Sequence, residues 1–150
     1  MNRFLETTFE DIKPYFILWT GDNSPHDIWN STQHKDFKPT KKFTKAIIKT
    51  FNSTIPVYPV IGNHDKYPDD LYNSNNSTFE KNFLQELGHI WKHWFDDQAY
   101  NTFINFGYYT MKHLNTNLRI VALNSLTCDT FNFWVIENPT DPLHQVKIII

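Results

Sequence analysis

The 150-residue sequence has one cysteine, four glycines, no surplus of basic residues and no long apolar run. Each shortage removes a class of protein. With Cys128 alone, no internal disulfide forms, and packing must hold the core. The thiol reads either as a buried free cysteine or as half of a bond whose partner lies outside the chain. Lys and Arg number 14 against 16 Asp and Glu, a formal net charge of -2. That balance gives no footprint for a nucleic-acid polymer and no acidic disordered tail. No apolar stretch approaches the roughly 18 residues of a transmembrane helix. The first residues, Met1-Asn2-Arg3-Phe4-Leu5-Glu6-Thr7-Thr8, lack the apolar region of a secretory signal. No Gly-x-Ser-x-Gly elbow and no phosphate-cradling P-loop occur, which argues against a serine hydrolase of the elbow type and a P-loop nucleotidase. What is present is 40% hydrophobic and 17% aromatic residues, enough for one domain with a real core.

The pattern along the chain alternates strand and helix. Residues 4–13 read as a short helix stopped by Pro14. Residues 15–20 are nearly all apolar, as a buried parallel strand would be. A polar loop over 21–36 follows. Residues 39–52 have helical spacing, with Phe43, Ile47, Ile48 and Phe51 on one face and lysines on the other. Residues 57–61 form the next strand, so the unit predicts a right-handed crossover and a parallel pair. A long loop over 62–78 leads to a second amphipathic helix, 79–95, with Phe79, Phe83, Leu87, Ile90, Trp91 and Trp94 as its stripe. Residues 103–114 and 118–123 read as a β-hairpin turning at Asn115-Thr116-Asn117. Residues 131–136 add a possible strand, and Asp141-Pro142 reads as a helix start.

Two of the four glycines carry the chemistry. Gly21-Asp22-Asn23 follows the first apolar run and Gly62-Asn63-His64-Asp65 follows the second. In open α/β sheets, ligands bind beyond the carboxyl ends of strands. The Asp22 carboxylate has two oxygens and is suited to bridge two cations, and the Asn63 carbonyl ligates without adding charge. His64 is placed to hydrogen-bond a phosphate oxygen or to protonate a leaving group. His26, four residues past Asp22 in the same loop, is a second imidazole for that role or a surface histidine. A lone Gly-Asp is ordinarily a turn. Two such turns, each after a strand and separated by one helix, favour a site. His89 and His93 are spaced for zinc, but Ile90 stands where a zincin has glutamate. They read as packing or solvent-facing residues. His34, His113 and His144 have no motif around them.

These two motifs resemble the second and third motifs of the calcineurin-like metallophosphoesterases. The longer string Ile17-Leu18-Trp19-Thr20-Gly21-Asp22-Asn23-Ser24-Pro25-His26-Asp27-Ile28-Trp29 is similar to the acid sphingomyelinase and sphingomyelinase-like phosphodiesterase branch. Trp91-Lys92-His93-Trp94-Phe95, Gly107-Tyr108-Tyr109, Leu118-Arg119-Ile120-Val121-Ala122-Leu123-Asn124, Asn132-Phe133-Trp134 and Thr140-Asp141-Pro142 with Gln145 also fit, in order. The resemblance implies a four-layer α/β/β/α sandwich and a phosphodiester hydrolase. Its reaction is in-line attack of a metal-bound hydroxide on phosphorus. It implies two zinc ions bridged by Asp22, one of them ligated by Asn63, with His64 and His26 serving the leaving group or the phosphate. The substrate class is sphingomyelin or a nucleotide-like phosphodiester. Another branch, such as a phosphomonoesterase or nuclease, fits the His26 loop less well. The resemblance also implies a secreted or lysosomal setting and places Cys128 where relatives have a disulfide. The sequons at Asn30, Asn52, Asn75 and Asn76 then suit a glycoprotein. The oligomeric state is left open.

The family's site begins with Asp-x-His upstream and ends with a histidine and Gly-His-x-His downstream. No histidine precedes His26, and Gly88-His89-Ile90-Trp91 is not the later motif. The expectation is a partial metallophosphoesterase domain over 1–150, truncated at both ends. The alternative to an active hydrolase is a catalytically inactive fragment or pseudoenzyme lacking most metal ligands. Strand edges left unpaired would favour aggregation.

Overall fold

The structure, a computed structural model, describes Thr7, Ile12 and residues 14–51, 54–75 and 77–148. The helix expected over 4–13 and the sequons at Asn52 and Asn76 fall largely or wholly outside the described residues. Strand β1 (Ile17–Trp19) is followed by helix α1 (Gln33–Phe51) and strand β2 (Val57–Pro59). Helices α2 (Thr78–Trp91) and α3 (Asp97–Phe106) come next, then strands β3 (Tyr109–Lys112) and β4 (Arg119–Ala122). Short 3-10 turns fill much of the remainder, at Ile28–Asn30, Lys92–Trp94, Ser125–Cys128, Phe133–Ile136 and Gln145–Ile148. The fold is mixed α/β, as the sequence predicts.

β1 and β2 are parallel, with Ile17 opposite Val57 and Trp19 opposite Pro59. Both strands are shorter than the apolar runs that announce them, and β1 is covered on one face only. Trp19 is buried while Leu18 is 61% exposed, so the expectation of a fully buried strand is corrected. Side chains alternate across a strand, and the Leu18 side borders an open cleft. β3 and β4 are antiparallel in register Tyr109 to Ala122 and Lys112 to Arg119.

α1 begins at Gln33, six residues before the predicted start, and carries Pro39 inside it. The Thr32 hydroxyl and carbonyl accept the Lys35 N–H, and the carbonyl also accepts from Asp36. That cap starts the helix early enough for Pro39 to fall within its second turn. The predicted apolar face holds: Ile47 and Phe51 are buried, and Phe43 meets Trp19 edge-on at 4.7 Å. On α2 the stripe of Phe83, Leu87 and Trp91 is buried, whereas Phe79 is 45% exposed. Trp91 meets Trp19 at 5.5 Å and Phe103 at 5.5 Å. The core therefore lies between the helices and the two small sheets.

Three expectations fail downstream. Residues 103–106 belong to α3 and not to a strand. Asp96 caps that helix by accepting the Ala99 N–H at 2.7 Å. Gly107 stops it at φ 77°, donating to the Phe103 carbonyl. Residues 131–136 hold a 3-10 turn because the Asn132 side chain accepts from Trp134 N. No helix opens at Pro142. Asp141 adopts φ 39° and its carboxylate accepts from Val146 N, giving the turn over Gln145–Ile148. Cys128 is exposed and free, which corrects the reading of a buried thiol.

Candidate active site

Both glycine turns stand directly beyond the carboxyl ends of β1 and β2. The parallel pairing places them side by side, and the glycines let them nearly touch. A Cβ on Gly62 would stand 2.2 Å from Asp22 Oδ1, and one on Gly21 would stand 2.2 Å from Gly62 N. Gly21 also has φ 78°, which a side chain disfavours. Asp22 follows with φ 59°, so the backbone turns sharply where the candidate ligand is presented.

Asp65 locks the two turns together. Its Oδ2 accepts the N–H of Asp22 at 3.0 Å and of Gly62 at 2.9 Å. Its Oδ1 accepts the backbone and side-chain N–H of Asn23, both at 3.0 Å. The residue is 1% exposed. Burial pushes its carboxyl above the ordinary value, and the four N–H groups pull it back. The motif string contains Asp65, but its role was missed in the sequence. It depends on a second turn 43 residues away.

The four residues singled out in the sequence come together. His64 N donates to Asp22 Oδ1 at 3.1 Å. The rings of His26 and His64 are 4.0 Å apart between centroids and tilted by 48°. Asp22 and His26 are exposed, Asn63 is half-buried and His64 is buried. Asn63 donates its side-chain N–H to Asp70 Oδ1 at 2.8 Å, and its carbonyl accepts the Asp70 N–H at 3.0 Å. This leaves the amide Oδ1, the candidate ligand atom, without a donor among the described residues. His64 Nδ1 meets Asp69 Oδ2 at 2.7 Å. Asp69 and Asp70 carry no sequence motif, and only the length of the loop hinted at a function there.

His34, His89, His93 and His144 are exposed. His113 is buried with Nδ1 2.7 Å from the Tyr58 hydroxyl. Among the described residues no three His, Cys, Asp or Glu side chains gather in an arrangement that holds a metal. Asp22 and Asn63 stand on adjoining turns, which the His64 N–H on Asp22 Oδ1 joins. A cavity of about 480 Å³ lies beside the site between α1 and α2 and is lined by Gln33, Phe37, Phe79, Phe83 and Glu86 among others. Gln33 joins it to the site, accepting from Tyr67 N and donating to the Asp65 carbonyl. No described helix is long and apolar enough to cross a membrane.

Known proteins are similar to this chain over most of its length. Sphingomyelin phosphodiesterase B of Dictyostelium discoideum is 32% identical over 99% of this chain and 24% of its own length. Sphingomyelin phosphodiesterase A of the same organism is 39% identical over 79% of this chain and 20% of its own length. A cyclic GMP-AMP phosphodiesterase of Bos taurus is 33% identical over 90% of this chain and 29% of its own length. The chain thus spans about a quarter of the length of these curated relatives. The model of the calcineurin-like phosphoesterases matches residues 2–148, both glycine turns included, and the chain belongs to that family.

Proposed function

We propose that this chain is part of a metal-dependent phosphodiester hydrolase of the sphingomyelinase-like type, with residues 1–150 in one metallophosphoesterase domain. The observation that carries this reading is the closure of the Asp22 turn onto the Asn63-His64 turn by Asp65, with the His26 ring packed against His64. The donor set fits a divalent cation in part. Asp22 offers an exposed carboxylate, and the Asp70 contact presents the Asn63 Oδ1. Those two residues would hold the metal, which we assign as zinc. When bound, zinc supplies neutralisation of the phosphate charge and activation of water. The remaining work belongs to the protein. Asp65 holds the two turns in register, and His64 and His26 face the phosphate or the leaving-group oxygen with their imidazole nitrogens.

The names of the relatives support a phosphodiester substrate, either sphingomyelin or a cyclic dinucleotide. A secreted or lysosomal setting agrees with sequons at Asn30 and Asn75, both exposed. The test is the reading frame that encodes this chain, expressed whole and assayed with zinc on bis(p-nitrophenyl) phosphate. Asp22→Ala and Asn63→Ala should each lower kcat/KM by about 100-fold or more. A rate unchanged by either substitution would sink the assignment.

A further inference from the structure

The groove between α1 and α2 is built from two regular stripes. α1 presents Phe37 and Lys41 to it, and α2 presents Phe79, Phe83 and Glu86 at helical spacing. Phe37 and Phe83 are buried, and their rings stack at 5.9 Å with 14° between planes. One turn further along both helices, Lys41 pairs with Glu86 at 2.6 Å. The contacts advance in the same direction on each helix, so the groove has two distinct ends. At the end away from Lys41, Phe79 is 45% exposed. Phe79 also walls a second cavity of about 320 Å³, lined by Pro68, Leu71 and Trp134 among others. The two cavities share that ring, so the apolar path is elongated.

The Lys41 end is basic. α1 carries six lysines, although the whole chain has a net charge of -2. Its one acidic residue, Asp36, is buried. Lys38 and Lys45 stand one turn to either side of Lys41 on the same face. Both are exposed, and neither makes an ion pair among the described residues. The acidic residues of α2, Glu80 and Glu86, are each paired already, with Lys66 and Lys41. Positive charge is therefore in surplus there. Inside the groove, Gln33 spends its amide on the Asp65 carbonyl and the Tyr67 N–H. Phe37 has Phe83 stacked on it and Lys41 over it, and Phe79 has Lys66 over it at 4.9 Å. Little ring face is left for a planar aromatic ligand. What matches an elongated apolar path with a basic end is a flexible chain with an anionic head.

We propose that the groove between α1 and α2 binds a fatty acid, with the acyl chain along Phe83, Phe37 and Phe79 and the carboxylate at Lys38, Lys41 and Lys45. The cavity of about 480 Å³ is of the size that encloses small ligands. The site is separate from the metal-type turns, and its occupation is read without turnover.

Isothermal titration of the whole chain with monomeric decanoate should show one saturable site, with Kd of about 100 µM or below. Lys38→Glu with Lys45→Glu, at exposed positions, should weaken decanoate about 10-fold and leave uncharged decan-1-ol within about twofold. Phe79→Ala should weaken both about 10-fold. Nuclear Overhauser contacts from the decanoate methylenes should fall on the Phe37 and Phe83 rings. Contacts to Leu18 instead would place the chain against the open side of β1 and overturn the proposal. The absence of a saturable site, or a decanoate affinity unmoved by the lysine reversals, also overturns it. Vesicles of phosphatidylcholine and phosphatidylserine separate a membrane surface from a free acid. Binding to the vesicles with none to monomeric decanoate would overturn the proposal in favour of a membrane contact.

Discussion

Asp36 is the least satisfied acidic group near the site. It is 2% exposed, and its Oδ2 has no hydrogen-bond partner. It sits in the first turn of α1, where the helix dipole favours negative charge. Burial nevertheless pushes its carboxyl above the ordinary value, and the charges of Asp69, Asp27 and Asp65 push the same way, while a hydrogen bond with Ser31 opposes them. The folded chain therefore holds the Asp36 proton more tightly than the unfolded chain does. Stability from this group is complete below the ordinary value of 3.8 and is lost as pH rises through the raised folded value. Asp36→Asn removes the charge and should stabilise the chain at neutral pH by about 1 kcal/mol. Thermal melts across pH give the check: the gain should shrink as pH falls toward 3.8. A gain that does not change with pH would contradict this account. The sequence could not show any of it, because 21–36 read as one polar loop. Only the fold brings Asp36 under Asp69 and Asp65.

At the scale of elements, the start of α2 holds the long loop that carries Asn63 and His64. Ser77 caps the helix and pairs with Glu80, with Glu80 N donating to Ser77 Oγ at 3.4 Å and the Ser77 hydroxyl donating to Glu80 Oε2. Glu80 Oε1 also accepts from Asn73 N at 3.2 Å and faces Lys66 Nζ at 3.3 Å. Lys66 is 2% exposed. Burial pushes its ammonium down from the ordinary value, and Glu80 pulls it back. Removing one partner leaves a buried charge alone. Glu80→Ala should cost about 3–5 kcal/mol, and adding Lys66→Met to it should recover much of the loss. Urea midpoints for the two singles and the double decide this; additive losses would remove the coupling. The cap at Ser77-Thr78-Phe79-Glu80 was read only as the end of the long loop, and the predicted helix began one residue late. The same kind of signal surrounded α3, where Asp96 and Gly107 bracket the helix. There the aromatic run Phe103-Ile104-Asn105-Phe106 was assigned to a strand, because a short apolar run does not declare its period. The metal-type turns were legible for the opposite reason. Each follows an apolar run at once, so pairing of the runs suffices to bring the turns together. The Asp69 and Asp70 contacts required the loop to fold back on itself, which no local pattern encodes.

On the scale of the whole molecule, the two small sheets leave an apolar face between them. A cavity of about 170 Å³ there is lined by Leu18, Trp19, Tyr58, Ile120 and Val121 among others. Leu18 is 61% exposed, Leu118 44%, Val121 40% and Leu123 37%. Among the described residues β1 pairs only with β2, and β4 only with β3, so each sheet has free backbone edges beside these side chains. Exposed apolar strands with open edges are templates for association. Aggregation and folding stability separate cleanly here, because Trp19 and Ala122 fill the covered side of the same strands. Leu18→Lys with Val121→Lys places charge on the open side and should leave the melting temperature nearly unchanged. Sedimentation velocity at protein concentrations of about 10 µM and above should show self-association of the wild-type chain and its loss in the double variant. Association that persists with both lysines in place would put the contact on another surface. A wild-type chain that stays monomeric would mean that the face is too narrow to drive contact by itself.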